Sequence, residues 1–362
     1  MLSEQTAPTR RLAFVGLAKN TGKTEALAAL LRELELEGRR VGVTSVGRDG
    51  EEHDVIDPRI AKPRVRLAAG GLVATTDALL RASGAPHVLL EDTGMRTPLG
   101  RVLIARLRAA AAIEVAGPSA AADVRAVSDA MLALGAEQVL IDGALDRRAA
   151  SSPEVADGLV MSTGAILARD IHEVVAQTSD AVELVRLPSV HDGTDAGRRL
   201  GALAAAAVAG ATSALAGDEG EPVALPPGFV LAGAPEQIAR ALEENPAARW
   251  LIVAGALPEQ FLRELLRPVR QRGRELTLVA ADPTKVFLSS HSPGWYRRQG
   301  IQLRTLARID LEAITVNPVA PQSHRFDSVR LRALLQDAIR GVPVFDVLHP
   351  DYMVARASAP KP

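Results

Sequence analysis

The most specific chemical pattern in the sequence is a glycine-rich loop at residues 16–24, which ends in Gly-Lys-Thr. It follows a short apolar run and opens a helical pattern, and phosphate-binding loops need this context. Backbone N–H groups in such a loop, and at the helix N-terminus behind it, present partial positive charge to phosphates. Lys23 is then expected to reach the β and γ oxygens, and the Thr24 hydroxyl to ligate Mg²⁺. The predicted cofactors are therefore ATP and Mg²⁺. The predicted binding residues are Gly16, Lys19, Asn20, Thr21, Gly22, Lys23 and Thr24.

Acidic residues follow three of the predicted strands and are candidates for the metal shell, because Mg²⁺ prefers carboxylate and water oxygens. Asp49 follows the second strand, at the sheet edge where open α/β folds bind ligands. Glu91 and Asp92 follow the third, and such a pair is costly to bury without a nearby cation. Asp142 follows a later strand, where it is expected either to orient an attacking water or to report the nucleotide state to Asp146 and Arg147.

These acids complete the predicted site. The metal ligands are Thr24, Asp49 and Glu91, and the catalytic residues are Lys23, Glu91 and Asp142. The alternative for each acid after a strand is a helix cap or a turn former.

The elements that must position these residues are alternating strand-like and helical runs, a pattern that favours βαβ units and a largely parallel sheet. After the loop, leucines recur at i, i+3, i+4 and i+7 from Leu27 to Leu34, and Gly38 supplies a stop, which predicts an amphipathic helix. The strands predicted in this part of the chain are residues 12–15, 40–45, 86–90, 112–116, 138–141, 158–161 and 182–187.

The length of 362 residues suggests two domains at about 150 residues each. We predict an α/β fold: a P-loop NTPase domain with a mainly parallel sheet flanked by helices (1–190), an Ala/Gly/Pro-rich linker region (191–227) and a second, smaller α/β domain (228–362). The strands predicted for the second domain are residues 229–231, 250–254, 276–280, 313–317 and 342–347.

Composition narrows the choice of partners and compartment. Forty-two basic and 43 acidic residues leave no excess positive charge for capturing nucleic acid or an anionic membrane. The arginine-rich run 262–274 is interpreted as a solvated helix in preference to a nucleic-acid patch. The absence of cysteine fits a reducing compartment, and the polar first residues lack the apolar core of a signal peptide. We therefore expect a cytoplasmic protein without nucleic-acid or membrane partners.

The spacing of the loop glycines points to a particular branch of P-loop proteins. Five residues separate Gly16 from Gly22, where the common pattern has four. This longer loop resembles that of the dethiobiotin synthetase and cobyrinic acid synthetase group, and the segment at Glu91 resembles the Glu-Gly segment by which that group holds its metal. Because such proteins often dimerise across the nucleotide site, the resemblance also implies a homodimer.

A longer resemblance extends to both predicted domains. Several segments are similar to the KamB family, P-loop subunits encoded with lysine 5,6-aminomutase. The resemblance implies a reactivating, chaperone-like ATPase for an adenosylcobalamin-dependent lysine or ornithine aminomutase, with that enzyme and a companion reactivase subunit as partners. ATP would then switch the loops around Asp49 and Glu91. The segments that carry the resemblance are residues 19–24, 43–50, 141–147, 315–318 and 343–347.

Two other functions stay open at this point. One is an ATP-dependent ligase of the dethiobiotin synthetase type, in which the γ-phosphate activates a small carboxylate or carbamate and the second domain holds substrate. The other is a scaffold that the nucleotide merely stabilises. The absence of cysteine argues against glutamine amidotransferase chemistry. The sequence has no Asn-Lys-x-Asp segment that would select guanine, so ATP is favoured over GTP.

Overall fold

The computed structural model describes residues 1–47, 64–143, 152–232, 235–321 and 323–352. These residues form two compact units. The first unit consists of Met1–Ser179 together with the chain from Ile309 onward, and the second of Asp180–Arg308.

Helices and strands alternate along most of the described chain. Among these helices, none combines the length and the hydropathy that crossing a lipid bilayer requires. In chain order the helices are α1 (Leu2–Thr6), α2 (Lys23–Leu36), α3 (Asp77–Ala82), α4 (Ala121–Ala133), α5 (Ile171–Val185), α6 (Asp195–Ala209), α7 (Phe229–Ala232), α8 (Pro235–Glu244), α9 (Glu259–Arg272), α10 (Pro293–Arg298) and α11 (Ser328–Ala338). The strands are β1 (Arg11–Gly16), β2 (Val41–Ser45), β3 (Val65–Leu67), β4 (Leu72–Thr76), β5 (His87–Thr97), β6 (Gly100–Leu107), β7 (Ala111–Ile113), β8 (Gln138–Asp142), β9 (Gly158–Gly164), β10 (Ala214–Ala216), β11 (Val223–Ala224), β12 (Trp250–Ile252), β13 (Leu257–Pro258), β14 (Leu276–Ala280), β15 (Val286–Phe287), β16 (Ile301–Thr305), β17 (Asp310–Asn317) and β18 (Val344–Phe345).

The first unit is built on a nine-stranded sheet in the order β18-β17-β9-β1-β8-β2-β4-β6-β5. The seven strands from β18 to β4 pair in parallel, and the hairpin of β5 and β6 is added antiparallel at one edge. The registers Phe14↔Asp142 and Gly16↔Ser162 align the carboxyl ends of β8 and β9 with that of β1. The prediction of a large, mostly parallel sheet flanked by helices is therefore confirmed.

Residue types explain why β1 and α2 form where the sequence predicts them. From Leu12 to Gly16 every residue of β1 is buried, as expected for a central strand covered on both faces. The predicted leucine stripe of α2, Leu27 to Leu34, packs into the core of the first unit. Burial of each such leucine stabilises the fold by roughly 1.5–3 kcal/mol. The helix ends at Leu36, and Gly38 adopts the left-handed conformation, with φ +69°, that follows many helices.

The second unit contains a five-stranded sheet in the order β11-β10-β12-β14-β16, of which β12, β14 and β16 are parallel. One core joins this sheet to α9 and α10 through residues such as Phe261, Leu265 and Tyr296. A smaller core joins α6 to the sheet through Leu200 and Trp250. Both cores are built from residues of a single continuous chain segment.

The division of the chain differs from the predicted one in two respects. Residues 191–227 were expected to be a linker, but they form α6, β10 and β11 of the second unit. Residues from Ile309 onward were expected in the C-terminal domain, but β17 and β18 extend the first sheet beside β9. The second unit is thus inserted between two strands of the first sheet. Composition alone does not reveal such an insertion.

Two predicted strands are wrong because short apolar runs fit either element. Residues 182–187 lie mostly in α5, where Val174, Thr178 and Val182 are buried at a spacing of four residues. Residues 229–231 form the short helix α7. In α5 the helical periodicity of the longer surrounding segment determines the structure.

Candidate functional site

The glycine-rich loop of residues 16–24 connects the carboxyl end of β1 to the first turn of α2. Thr21 is buried and its hydroxyl donates to the carbonyl of Ala18 at 3.0 Å, which closes the loop on itself. A side chain at Gly16 would overlap with the Thr21 hydroxyl. Gly22 has φ +86° and Asn20 has φ +65°, so the loop backbone adopts the left-handed conformation at two positions, which glycine and asparagine tolerate best. The glycines therefore have local steric reasons to be there.

The N-terminus of α2 is open to an anion. Gly22 occupies the N-cap position and provides no side-chain hydrogen bond to the first turn. The first intrahelical bond runs from the N–H of Ala26 to the carbonyl of Gly22 at 3.0 Å. The N–H groups of Lys23, Thr24 and Glu25 consequently have no intrahelical acceptor, and they add to the positive end of the helix dipole.

Lys23 and Asp142 form an ion pair between Nζ and Oδ1. Asp142 is the last residue of β8, and its backbone position is fixed on both sides. The N–H of Gly143 donates to Phe14 of β1 at 3.0 Å, and the N–H of Val46 donates to the Asp142 carbonyl at 3.0 Å. The two charged side chains are half-buried, so their attraction is screened less than that of a surface pair. The structure thus brings together two of the three predicted catalytic residues.

Neighbouring strands on the other side of β1 hold the backbone of the loop. The N–H of Leu17 donates to the carbonyl of Ser162 in β9 at 2.9 Å. The side-chain amide of Asn317, the last residue of β17, donates to the carbonyl of Asn20 at 2.8 Å. The Oδ1 atom of Asn317 accepts from the N–H of Val319 at 3.1 Å, which fixes the orientation of the amide. The loop tip is therefore attached to the C-terminal part of the chain.

The carboxyl end of β2 forms the wall on the opposite side. Ser45 pairs with Asp142 in the sheet register, and its hydroxyl accepts from the N–H of Gly117 at 3.0 Å. The N–H of Gly47 donates to the carbonyl of Pro118 at 2.7 Å. These bonds tie the chain between β7 and α4 to the end of β2, beside the loop.

The predicted position of Glu91 is wrong. The strand continues past Leu90, so that Glu91 lies inside β5, opposite Ile104 of β6, and its side chain is exposed. Because Glu91 is exposed, it does not have the desolvation cost from which a bound cation was inferred. The neighbouring residue Asp92 pairs with Arg101 at 2.8 Å. Since β5 is four strand positions from β8, Glu91 lies about 19 Å from that strand along the sheet. The structure does not bring Glu91 to the loop.

The other predicted residues have different outcomes. Thr24 is half-buried in the first turn of α2, beside Lys23, while Lys19 and Asn20 are exposed at the loop tip. Asp49 lies outside the described residues. Within the described ranges, no three His, Asp or Glu side chains are grouped as a metal site.

Asn317 is the contact that reasoning from sequence missed. The sequence pattern places the strand before it in the second domain, whereas this strand, β17, belongs to the sheet of the first unit. Asn317 and Asp142 both end an apolar strand with a polar side chain, and this shared signal identifies residues at the carboxyl edge of one sheet.

Known proteins add no family assignment. Comparison with family models, with curated proteins and with solved structures finds no match to this chain.

Proposed function

We propose that this chain is a P-loop nucleotide-binding protein that holds ATP and Mg²⁺ at residues 16–24 and hydrolyses the nucleotide. The observation that carries the proposal is the position of Lys23, which lies in the uncapped first turn of α2 and is paired with Asp142 at the end of the adjacent strand. A helix N-terminus with a lysine in its first turn is suited to bind an anion, and an acid beside the lysine suits a metal or a water.

The donor set fits a Mg²⁺-nucleotide by its chemistry. Lys23 already has an anionic partner, and a triphosphate oxygen offers it the same kind of charge-assisted bond. The open N–H groups of α2 and the left-handed Gly22 accommodate close approach of phosphate oxygens. The Thr24 hydroxyl, one residue on, is the oxygen that we assign to the metal.

Each side chain then has a separate task. Lys23 neutralises the charge on the transferred phosphate, and Asn317 holds the loop backbone in place through Asn20. Asp142, released from Lys23 by the phosphate, accepts a hydrogen bond from a water and orients it for attack. ATP with Mg²⁺ supplies the phosphoryl group whose transfer to water releases free energy. Asp49 remains a predicted metal ligand, and Glu91 has no part in this arrangement.

The use of the hydrolysis is the second part of the proposal, and it rests on the sequence resemblance. Nucleotide-dependent ordering of loops is an established way to drive a partner. We propose that this cytoplasmic chain reactivates an adenosylcobalamin-dependent lysine or ornithine aminomutase, together with a companion subunit. A ligase of the dethiobiotin synthetase type is the alternative that the experiment must separate from it.

The experiment is a steady-state assay of phosphate release from ATP with each of three additions, which are an inactivated aminomutase, small carboxylates and small amines. The proposal expects slow basal turnover that rises at least about tenfold with an inactivated adenosylcobalamin aminomutase and stays unchanged with small carboxylates or amines. Lys23→Ala should remove this turnover, and Lys285→Ala, an exposed lysine of the second unit, should retain it. Turnover that depends on a small carboxylate would contradict the reactivation proposal and support the ligase alternative. Absence of turnover under all three conditions would contradict the ATPase proposal.

A further inference from the structure

Helix α9 of the second unit presents a row of arginines on the face opposite its buried side. Phe261, Leu265 and Val269 belong to the core. Arg263, Arg267 and Arg270 are exposed and are separated by four and three residues, so they share one face of the helix. This row is about 10 Å long at 1.5 Å per residue.

Helix α10 extends the same charged surface. The guanidinium of Arg270 donates to Oε1 of Gln299, the residue that caps α10, which joins the ends of the two helices. The two residues before Gln299, Arg297 and Arg298, are both exposed. We call the five residues Arg263, Arg267, Arg270, Arg297 and Arg298 the arginine surface.

The five arginines of this surface outnumber the carboxylates of α9 and α10, which are Glu259 and Glu264, so the surface has an excess of positive charge. None of its five arginines forms an ion pair with a described carboxylate, whereas Arg240, Arg249 and Arg304 of the same unit each do. The carboxylate of Glu264, which lies on α9 itself, accepts from Gln260 at 3.0 Å. Because the whole chain has a net charge of −1, the excess positive charge here is local and is balanced elsewhere.

The chemistry of the surface indicates the kind of partner. Guanidinium groups bind carboxylates through two parallel hydrogen bonds, and the spacing of four and three residues is that of one helix face. Single-stranded nucleic acid would need rings for base stacking. The rings of α10 are already in use, since Tyr296 is fully buried and Trp295 stacks on His291 with ring centres 3.8 Å apart.

We propose that the arginine surface docks an acidic α-helix of a partner protein, with Glu or Asp side chains repeated at i, i+4 and i+7. This inference goes beyond the proposed function. It concerns only the second unit and does not require that residues 16–24 bind a nucleotide. Its test can therefore fail while the nucleotide proposal stands, and the reverse also holds.

The test measures binding of labelled probes to the full chain by fluorescence anisotropy at about 0.05 and 0.15 M salt, because such contacts weaken with ionic strength. The probe is a synthetic helical peptide with Glu at i, i+4 and i+7. A single-stranded RNA and vesicles that contain phosphatidylserine are tested beside it. The charge-reversed variant is Arg263→Glu with Arg267→Glu and Arg270→Glu. Its matched control reverses three exposed arginines of the first unit, Arg64, Arg325 and Arg330.

The proposal expects the peptide to bind the natural chain and the control variant, and the α9 variant to bind at least about tenfold more weakly. Reversed charge at the end of α9 also opposes the helix dipole. The neutral variant, Arg263→Ala with Arg267→Ala and Arg270→Ala, is therefore included. Its affinity for the peptide should fall between those of the natural chain and the charge-reversed α9 variant. Equal losses in the control and the α9 variant would overturn the proposal, and so would an absence of peptide binding or tighter binding of RNA or vesicles.

Discussion

Lys23, in the first turn of α2, and Asp142, at the end of β8, are joined by an ion pair although 119 positions separate them in the chain. Parallel pairing of β8 with β1 brings them together, since the register sets Asp142 beside Phe14, shortly before the loop. Any phosphate that binds Lys23 must compete with the carboxylate of Asp142. The proposed function therefore predicts two separable effects of Asp142, one on nucleotide affinity through this competition and one on hydrolysis through the orientation of water.

Replacing Asp142 by Asn should separate these effects. The amide removes the charge that competes for Lys23, so ATP should bind as tightly as before or up to about tenfold more tightly. Hydrolysis should fall at least about 100-fold, because general-base or water-orienting groups contribute about that much. ATP titration and phosphate release measure the two quantities.

Asp157→Asn is the matched control, because Asp157 also forms an ion pair, with Arg11, but lies at the amino end of β9, just before its first residue. Hydrolysis in this control should remain within about twofold. A D142N protein with normal hydrolysis would exclude Asp142 as a catalytic residue.

Glu91→Gln should leave both ATP affinity and hydrolysis within about twofold of the natural protein. The reason is its position in the exposed edge strand β5, about four strand spacings from β8. The measurement is hydrolysis across a range of Mg²⁺ concentrations. A higher Mg²⁺ requirement in E91Q would show that Glu91 holds the metal, as first predicted from the sequence.

Asn317→Ala should weaken ATP binding by about fivefold. The hydrogen bond to the carbonyl of Asn20 is neutral, and such a bond contributes about 1 kcal/mol net. Asn245→Ala is the control, because its amide donates to a backbone carbonyl of α8, at Ala241, in the second unit. If Asn317→Ala and Asn245→Ala both bind ATP as tightly as the natural protein, the link between β17 and the loop has no role in nucleotide binding.

The part of the site that is formed by residues adjacent in sequence could be predicted. The contacts between residues that are far apart in sequence could not. The loop, β1 and α2 are adjacent in sequence, so glycine spacing and the leucine stripe from Leu27 onward were sufficient. Asp142 was also found, because an acid after a buried strand is a local signal. The ion pair of Asp142 with Lys23 was not predicted, because it depends on β8 lying beside β1 in the sheet.

Non-local topology explains the failures at Asn317 and Glu91. A second unit of about 130 residues lies between β9 and β17 in the chain, so sequence order alone places Asn317 in another domain. The apolar run of residues 86–90 predicts a strand that ends before Glu91. The hairpin with β6 continues that strand to Thr97.

A buried carboxylate makes the stability of the second unit dependent on pH. Glu259 is 5% exposed. Burial would raise its pKa, but hydrogen bonds from the Ser289 hydroxyl and N–H, the Ser290 N–H and the Tyr296 hydroxyl outweigh it and lower the pKa from 4.5 to about 2. The stabilising contribution is therefore complete above about pH 4.5 and is lost as pH falls toward 2. The difference corresponds to roughly 3 kcal/mol.

Glu259→Gln should accordingly lower the free energy of unfolding by about 2–3 kcal/mol at pH 7 and flatten its decline below pH 4.5. Urea denaturation at several pH values measures this. Glu264→Gln, on the same helix but more exposed, should follow the natural protein. Parallel curves for E259Q and the natural protein at all pH values would disprove the assigned role of Glu259.

The most direct test of the central claim is the affinity for ATP with Mg²⁺, measured by calorimetry for the natural chain, Lys23→Ala and Lys285→Ala. The nucleotide proposal predicts that the natural chain and K285A bind equally. K23A should bind at least about 100-fold more weakly, a loss of about 2.7 kcal/mol. An unchanged affinity in K23A, or no binding by the natural chain, would contradict the assignment of residues 16–24 as the nucleotide site.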